Sequence, residues 1–215
     1  MNSDPIAYYR ERAREYGTIY LKPERQDDLR SAATILQRLL ENKAVLRIAC
    51  GMSDRTAQIT KTPQSVFATD INELLLEIAR QNDISRGKVI FSIADVYKLP
   101  EAGKYDSLFG GFIWSRIPLQ ELDGFIGTVN NAVASGGTVV FIDNNYAMDS
   151  TIATCDSDEH GNTYQTGQLK DGRERRVLKN FPTETFLREK LSGIAESISI
   201  IRLRYYWILI YRLAR

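Results

Sequence analysis

The chain has 215 residues, 43% of them hydrophobic and 26% charged, with a formal net charge of +1. That is enough for one full core of ordinary globular composition, and the near-neutral balance gives no basic face for nucleic acid or an acidic membrane. One histidine, two distant cysteines (Cys50 and Cys155), a charged opening stretch MNSDPIAYYRERAREY and no long apolar run argue against a metal site, a disulfide framework, a signal peptide and a membrane span; the cytoplasm is the expected compartment.

A short helix is expected first, with Asp4 as cap, Pro5 in its first turn, Gly17 at its end, and Ile6, Tyr9, Ala13 and Tyr16 on one face. A second begins near Pro23 and keeps helical spacing through Leu29, Ala32, Ala33, Leu36, Leu39 and Leu40 up to Asn42. Ala44 to Ala49 is a short apolar run ending at Cys50-Gly51, the mark of a buried strand entering a turn. Asp54 caps a helix with Ala57 and Ile59 inward. Ser65 to Asp70 is a second strand, ending in a carboxylate, and Ile71 to Gln81 a helix. Val89 to Ile93 is a third strand, with Asp95 shortly after it; Tyr105 to Phe109 is a fourth, running into Gly110-Gly111. Leu119 to Ala134 is helical, and Gly136-Gly137 introduces a fifth strand, Thr138 to Ile142.

The last third changes character. Thr163 to Leu169 and Glu174 to Leu178 flank Lys170-Asp171-Gly172-Arg173, where Asp-Gly signals a hairpin. Pro182 and Thr183 start a helix to about Leu191. Glu196 to Leu203 and Tyr205 to Leu213 are β-rich and separated by Arg204 alone, so they pair antiparallel. Strands alternating with helices imply a parallel sheet covered on both faces, here closed by an antiparallel hairpin.

In such a sheet, ligands bind outside the carboxyl ends of the strands. Cys50-Gly51-Met52-Ser53, Asp70, Asp95, Gly110-Gly111 and Asp143-Asn144-Asn145 stand there. Glycine lets a ligand approach the backbone, and an ionised carboxylate ending the second strand can accept both hydroxyls of a ribose. Asp95 can take an adenine amine while Val96 covers the ring. Asp143 is either a base or a structural acceptor for turn amides. His160, in the polar run Asp156 to Asn162, reads as a solvated loop residue.

The stretches VLRIACGMSDRT, VFATDINELLLEIAR, VIFSIADVYKLP and YDSLFGGFIWSRIP, spanning roughly Ala44 to Tyr146, resemble the successive motifs of class I S-adenosylmethionine (SAM)-dependent methyltransferases. YYRERAREYGTIYLKPERQ and GNTYQTGQLKDGRERRVLKNFPTETFLREKL look like a bacterial small-molecule subgroup of that family. The resemblance implies an α/β, Rossmann-like seven-stranded sheet of order 3-2-1-4-5-7-6 in one domain. Lid helices would occupy 1–42, the SAM-binding core 43–146, and the hairpin insertion, helix and closing strands 147–215. By the same resemblance Gly51 meets the methionine part of SAM, Asp70 the ribose, and Asp95 with Val96 the adenine, with Tyr20 and Arg25 as partners for the SAM carboxylate. Ala49, Ser53, Ile71, Gly111 and Phe112 complete the expected cofactor set. Tyr9, Trp114, Arg116, Asn144 and Tyr164 form the expected catalytic set.

Three positions depart from the family. Arg47 stands where an acidic residue is usual, Gly51-Met52-Ser53 replaces a GTG-type turn, and Trp114-Ser115-Arg116-Ile117-Pro118 carries arginine where the subgroup has histidine. Arginine cannot accept a proton at neutral pH, so the obvious general base is missing. Three functions remain open: methyl transfer from SAM to a small molecule; a SAM cyclase like the azetidine-2-carboxylate synthases, in which the α-amine of SAM displaces at its own γ-carbon; and a SAM-binding protein without turnover. The expected partners are a small molecule or SAM alone, with no nucleic acid and no membrane, in a monomer or homodimer.

Overall fold

The computed structural model describes residues 22–51, 61–81, 87–99, 102–147, 154–168 and 172–214. The expected first helix and the helix after Asp54 lie outside these residues. Ten strands are described: β1 (Ala44–Ile48), β2 (Ser65–Asp70), β3 (Val89–Ile93), β4 (Tyr105–Gly111), β5 (Val133–Asn144), β6 (Thr154–Ser157), β7 (Thr163–Gln168), β8 (Glu174–Leu178), β9 (Ala195–Arg202) and β10 (Tyr206–Leu213). The described helices are α1 (Gln26–Leu39), α2 (Glu73–Gln81), α3 (Leu122–Ala132) and α4 (Glu184–Leu191).

Seven strands form one sheet in the order β3-β2-β1-β4-β5-β10-β9. The first five run parallel; β10 runs antiparallel to both β5 and β9. This is the 3-2-1-4-5-7-6 order of the Rossmann-like class I methyltransferase fold. The alternation of a strand puts Leu46, Leu108, Val139, Phe141, Trp207 and Leu209 on one face, packed with Leu122, Phe125 and Ile126 of α3 and Leu187 and Leu191 of α4. Val45, Phe109, Val140, Ile142 and Ile208 face the other way, toward Ala32 and Leu36 of α1 and Leu76 of α2. Two apolar layers therefore sandwich the sheet. α1, in the segment expected to form a lid, buries Ala32 and Leu36 against the sheet. No helix among the described residues is long and apolar enough to cross a membrane.

The differences from the sequence reading have local causes. Asn72 accepts the Leu74 N–H (3.2 Å), so α2 begins at Glu73 and not at Ile71. The expected helix over Leu119 to Ala134 is a 3-10 turn, Leu119–Glu121, followed by α3, which gives way at Val133. Gly136-Gly137, expected to start the fifth strand, lies inside β5, which begins earlier at Val133, and the register with β4 slips there between Tyr105 and Ser107. Gly136 has φ +73°, and a Cβ on Gly137 would fall 2.8 Å from the Asp106 carbonyl, so this bulge requires both glycines. β6, a short polar segment absent from the sequence reading, adds a third strand to the β7–β8 hairpin.

Candidate functional site

The exits of β1, β2, β4 and β5 lie side by side on one edge of the sheet. At β1 the chain turns sharply: Ala49 has φ +47° and Gly51 φ +60°. The Cys50 N–H donates to the Thr69 carbonyl (2.9 Å), extending the pairing with β2. The Gly51 N–H donates to Asp70 Oδ2 (2.9 Å), and the Asn72 N–H donates to Asp70 Oδ1 (2.9 Å). The Asp70 carboxylate thus bridges the exits of two strands, with backbone amides on both oxygens. Burial pushes its pKa up, while the Asn72, Gly51 and Ile71 amides and the Arg47 cation pull it back.

Arg47, the cation in an acidic residue's place, is 6% exposed. Its Nη2 donates to the Cys50 carbonyl (3.0 Å) and its guanidinium lies 5.8 Å from the Phe109 ring centroid, so it braces the turn from within the protein. Cys50 is buried beside it, its thiol pushed up to about 12 by burial.

At β4 the half-buried Gly111 leads to Phe112, whose φ is +61° and whose N–H donates to the Ile142 carbonyl (2.7 Å). Ile48 pairs with Gly110, so the two non-glycine left-handed residues, Ala49 and Phe112, sit at neighbouring strand tips. Such strain persists where surrounding structure over-determines it, typically at ligand sites. For Ala49 the left-handed penalty of about 1–2 kcal/mol exceeds glycine's extra entropy cost of about 0.5–1 kcal/mol. Ala49→Gly is accordingly expected to stabilise the fold by about 0.5–1 kcal/mol in urea denaturation; an unchanged or lower midpoint would show that the turn is unstrained.

Beyond β3, Asp95 Oδ1 accepts the Tyr97 N–H (2.9 Å), and Val96 packs partly against the core. Ile71 and Ile93 remain 45% and 52% exposed, leaving apolar surface open around Asp70.

The β5 exit is a buried polar network. Asp143 is fully buried; its carboxylate accepts from Lys179 Nζ (2.9 Å), Ser115 Oγ (3.0 Å) and N–H (2.9 Å), and the Asn144 N–H (2.8 Å). Lys179 Nζ also donates to Ser115 Oγ (2.7 Å). Burial raises the Asp143 pKa, but the Lys179 cation and these hydrogen bonds outweigh it and leave the group below its ordinary value. An ionised carboxylate with this many partners is a structural acceptor, which removes Asp143 as a base. Next to it, Asn144 Oδ1 accepts from Arg25 Nη1 (3.2 Å). Arg25 is 3% exposed, its guanidinium 5.2 Å from the Tyr205 ring centroid and 5.7 Å from that of Tyr206. Phe112 meets Tyr206 edge-on at 5.7 Å, which joins the β4 exit to the start of β10.

The structure therefore brings together Ala49, Gly51, Asp70, Ile71, Gly111 and Phe112, places Asp95 and Val96 after the adjoining β3, and sets Arg25 with Asn144 beyond β4. It separates others. Trp114 is 2% exposed and lies edge-on to Phe141 (5.1 Å), Trp207 and Phe125, a core residue and not a rim aromatic. Arg116 Nη1 donates to the Leu178 carbonyl (2.5 Å), tying its turn to β8. Tyr164 belongs to the β6–β8 sheet, where its hydroxyl donates to Asp158 (2.8 Å) and the Arg176 guanidinium covers its ring. Desolvation, that hydrogen bond and the Asp158 charge raise the phenol's pKa. Tyr9, Tyr20 and Ser53 lie outside the described residues. Lys179, Tyr205 and Tyr206 escaped the sequence reading: their roles depend on contacts between distant segments, and no motif marks them.

No family model matches the chain, and no curated protein matches it. Solved structures do. The chain is similar to DhpI in a complex with SAM and HEP, at 24% identity over 99% of this chain and 100% of that one, with a TM-score of 0.79. It is similar to DhpI with SAH at 23% identity over 98% and 95%, TM-score 0.75. An S-adenosylmethionine-dependent methyltransferase from Clostridium acetobutylicum aligns at 16% identity over 94% and 99%, TM-score 0.63.

Proposed function

We propose that this chain is a cytoplasmic, SAM-dependent methyltransferase acting on a small molecule, with SAM at the exits of β1, β2 and β4. The observation that carries the reading is the Asp70 carboxylate, 8% exposed and bridging the Gly51 and Asn72 amides beside the left-handed Ala49. A carboxylate so oriented suits the paired hydroxyls of a ribose. Asp95 and Val96, with the exposed Ile71, suit the adenine; the Gly51 turn suits the methionine chain; Arg25 with Asn144 suits the amino-acid end. The solved neighbours that hold SAM or SAH support the same assignment. When bound, SAM supplies a methyl group already activated on a sulfonium. The protein's part is then to orient the acceptor and exclude water, and positioning supplies most of the acceleration.

A second reading, SAM cyclisation to azetidine-2-carboxylate and methylthioadenosine, is favoured by one feature. Among the described residues, Asp143, the base candidate of the sequence, is held by Lys179 and Ser115, and Arg116, where the subgroup has histidine, donates to the Leu178 carbonyl. A free α-amine has a pKa of about 8 and needs no strong base. Incubation with SAM alone, followed by mass spectrometry, separates the readings. Methyl transfer predicts intact SAM with thermal stabilisation, about 2.7 kcal/mol at a SAM concentration 100 times Kd. Methylthioadenosine above a no-enzyme control would establish cyclisation. Neither stabilisation nor product would sink both.

A further inference from the structure

A cleft of about 440 Å³ opens beside the β5 exit, walled by Tyr146, Phe181, Thr183, Glu184, Arg202 and Arg204. It is a shallow depression, open to solvent over much of its extent, so it suits one end of a molecule and not an enclosed ligand. Tyr146 is 47% exposed and stands edge-on to Phe181, with ring centroids 5.2 Å apart at 84°, which gives the cleft an aromatic wall. Two arginines supply its charge. Arg202 donates Nη1 to Asn145 Oδ1 (2.8 Å), which fixes the guanidinium in place, and Arg204 lies 5.1 Å from the Tyr205 ring centroid. Glu184, the carboxylate among the described wall residues, is engaged by its own helix: its Oε1 accepts from Arg188 Nε (3.0 Å) and Nη2 (2.7 Å).

The cleft also shares a frame with the candidate site. Asn145 follows Asn144, and its Nδ2 donates to the Leu203 (2.6 Å) and Tyr206 (2.8 Å) carbonyls, pinning the β9–β10 turn to the β5 exit. The guanidiniums of Arg25 and Arg204 lie near the same Tyr205 ring. In the sheet order β10 is two strands from β4, about 10 Å away.

We infer that this cleft binds the anionic end of a second small molecule, a carboxylate- or phosphate-bearing compound whose apolar body lies on Tyr146 and Phe181. Guanidinium forks match both oxyanions, and the aromatic pair accepts a flat or aliphatic body. The assignment of that molecule as the acceptor rests on the methyltransferase reading above; the cleft's preference for an anion does not.

The test uses benzoate, phenyl phosphate and the neutral benzamide as probes, titrated into the full chain by ligand-observed NMR with and without saturating SAM. Benzoate or phenyl phosphate is expected to bind at least fivefold tighter than benzamide, the tighter of the two naming the oxyanion. Arg204→Gln is expected to remove that preference while leaving benzamide unchanged, and Tyr146→Ala to weaken all three probes. Equal binding of benzoate and benzamide, or unchanged binding of the anions to Arg204→Gln, overturns the inference. Benzoate displaced by SAM overturns its role as acceptor mimic. SAM titrations of the same proteins keep the two ideas apart: neither variant is expected to change SAM affinity. Wild-type protein that binds benzoate but not SAM would refute the SAM reading and leave the cleft standing.

Discussion

Asp70→Asn is expected to weaken SAM binding about 100-fold by calorimetry while the protein still unfolds cooperatively. Hydrogen bonds to a charged group contribute about 1.5–3 kcal/mol each, and losing one to the ribose together with the charge on the other amounts to about 3 kcal/mol. The asparagine retains one acceptor oxygen, but its NH2 must face one of the two amides, Gly51 or Asn72, that the carboxylate now receives. The Gly51 turn should loosen together with the lost ribose contact. Acid gives an independent check. Burial raises the Asp70 pKa, so as pH falls this group is protonated before an ordinary carboxylate is. SAM affinity is therefore expected to decline from a pH above the usual aspartate value, and in Asp70→Asn that decline should vanish. Stability behaves the other way. A raised folded-state pKa means that the native state binds the proton more tightly than the unfolded chain, so protonating Asp70 costs affinity and not fold. An affinity loss of only a few fold would show that the carboxylate serves the turn alone.

Lys179→Met is expected to cost about 3–5 kcal/mol, since it leaves the fully buried Asp143 carboxylate without its cation. At this chain length that corresponds to a fall in Tm of roughly 10 °C. Lys179→Met with Asp143→Asn should recover part of the loss, because the charge that needed a partner is gone; a double-mutant cycle in urea isolates the coupling. The pH dependence carries a sign. In the wild type the lowered Asp143 pKa gives stability that is present above the unfolded value and is lost as pH falls through the folded one. In Lys179→Met only the Ser115 and Asn144 hydrogen bonds still oppose burial, so the pKa rises and mild acid should relieve part of the defect. A variant as stable as wild type would mean that the pair contributes nothing net.

The sequence made the sheet legible wherever one strand's own pattern sufficed. Ser65 to Asp70 and Val89 to Ile93 are the observed β2 and β3, and the closing hairpin is displaced by a single residue at each strand's start. It misled where a residue type has two uses. Gly136-Gly137 marks a bulge inside a strand as well as a strand's start, and Trp114, expected in the catalytic set, fills the core. In the candidate site Asp70 was visible because an acid that ends a strand has few other uses. Lys179 was not, because it meets Asp143 36 positions away in the chain, and only the folded β8 end brings the two together. Arg25 was read as a ligand contact, and its aromatic setting depends equally on the late strand β10.

β10 follows β9 in the chain yet occupies the interior place between β5 and β9. Its Trp207, Ile208, Leu209 and Tyr211 are at most 1% exposed. On a ribosome, which releases a chain from its amino end, β9 emerges with no seat on the sheet, and the Val139-Val140-Phe141-Ile142 edge of β5 stays unpaired until β10 follows. An unpaired apolar edge is a template for misassociation. Nascent chains halted after β9 are thus expected to depend on chaperones and to aggregate, and the soluble yield of the protein should rise when translation through β10 is fast.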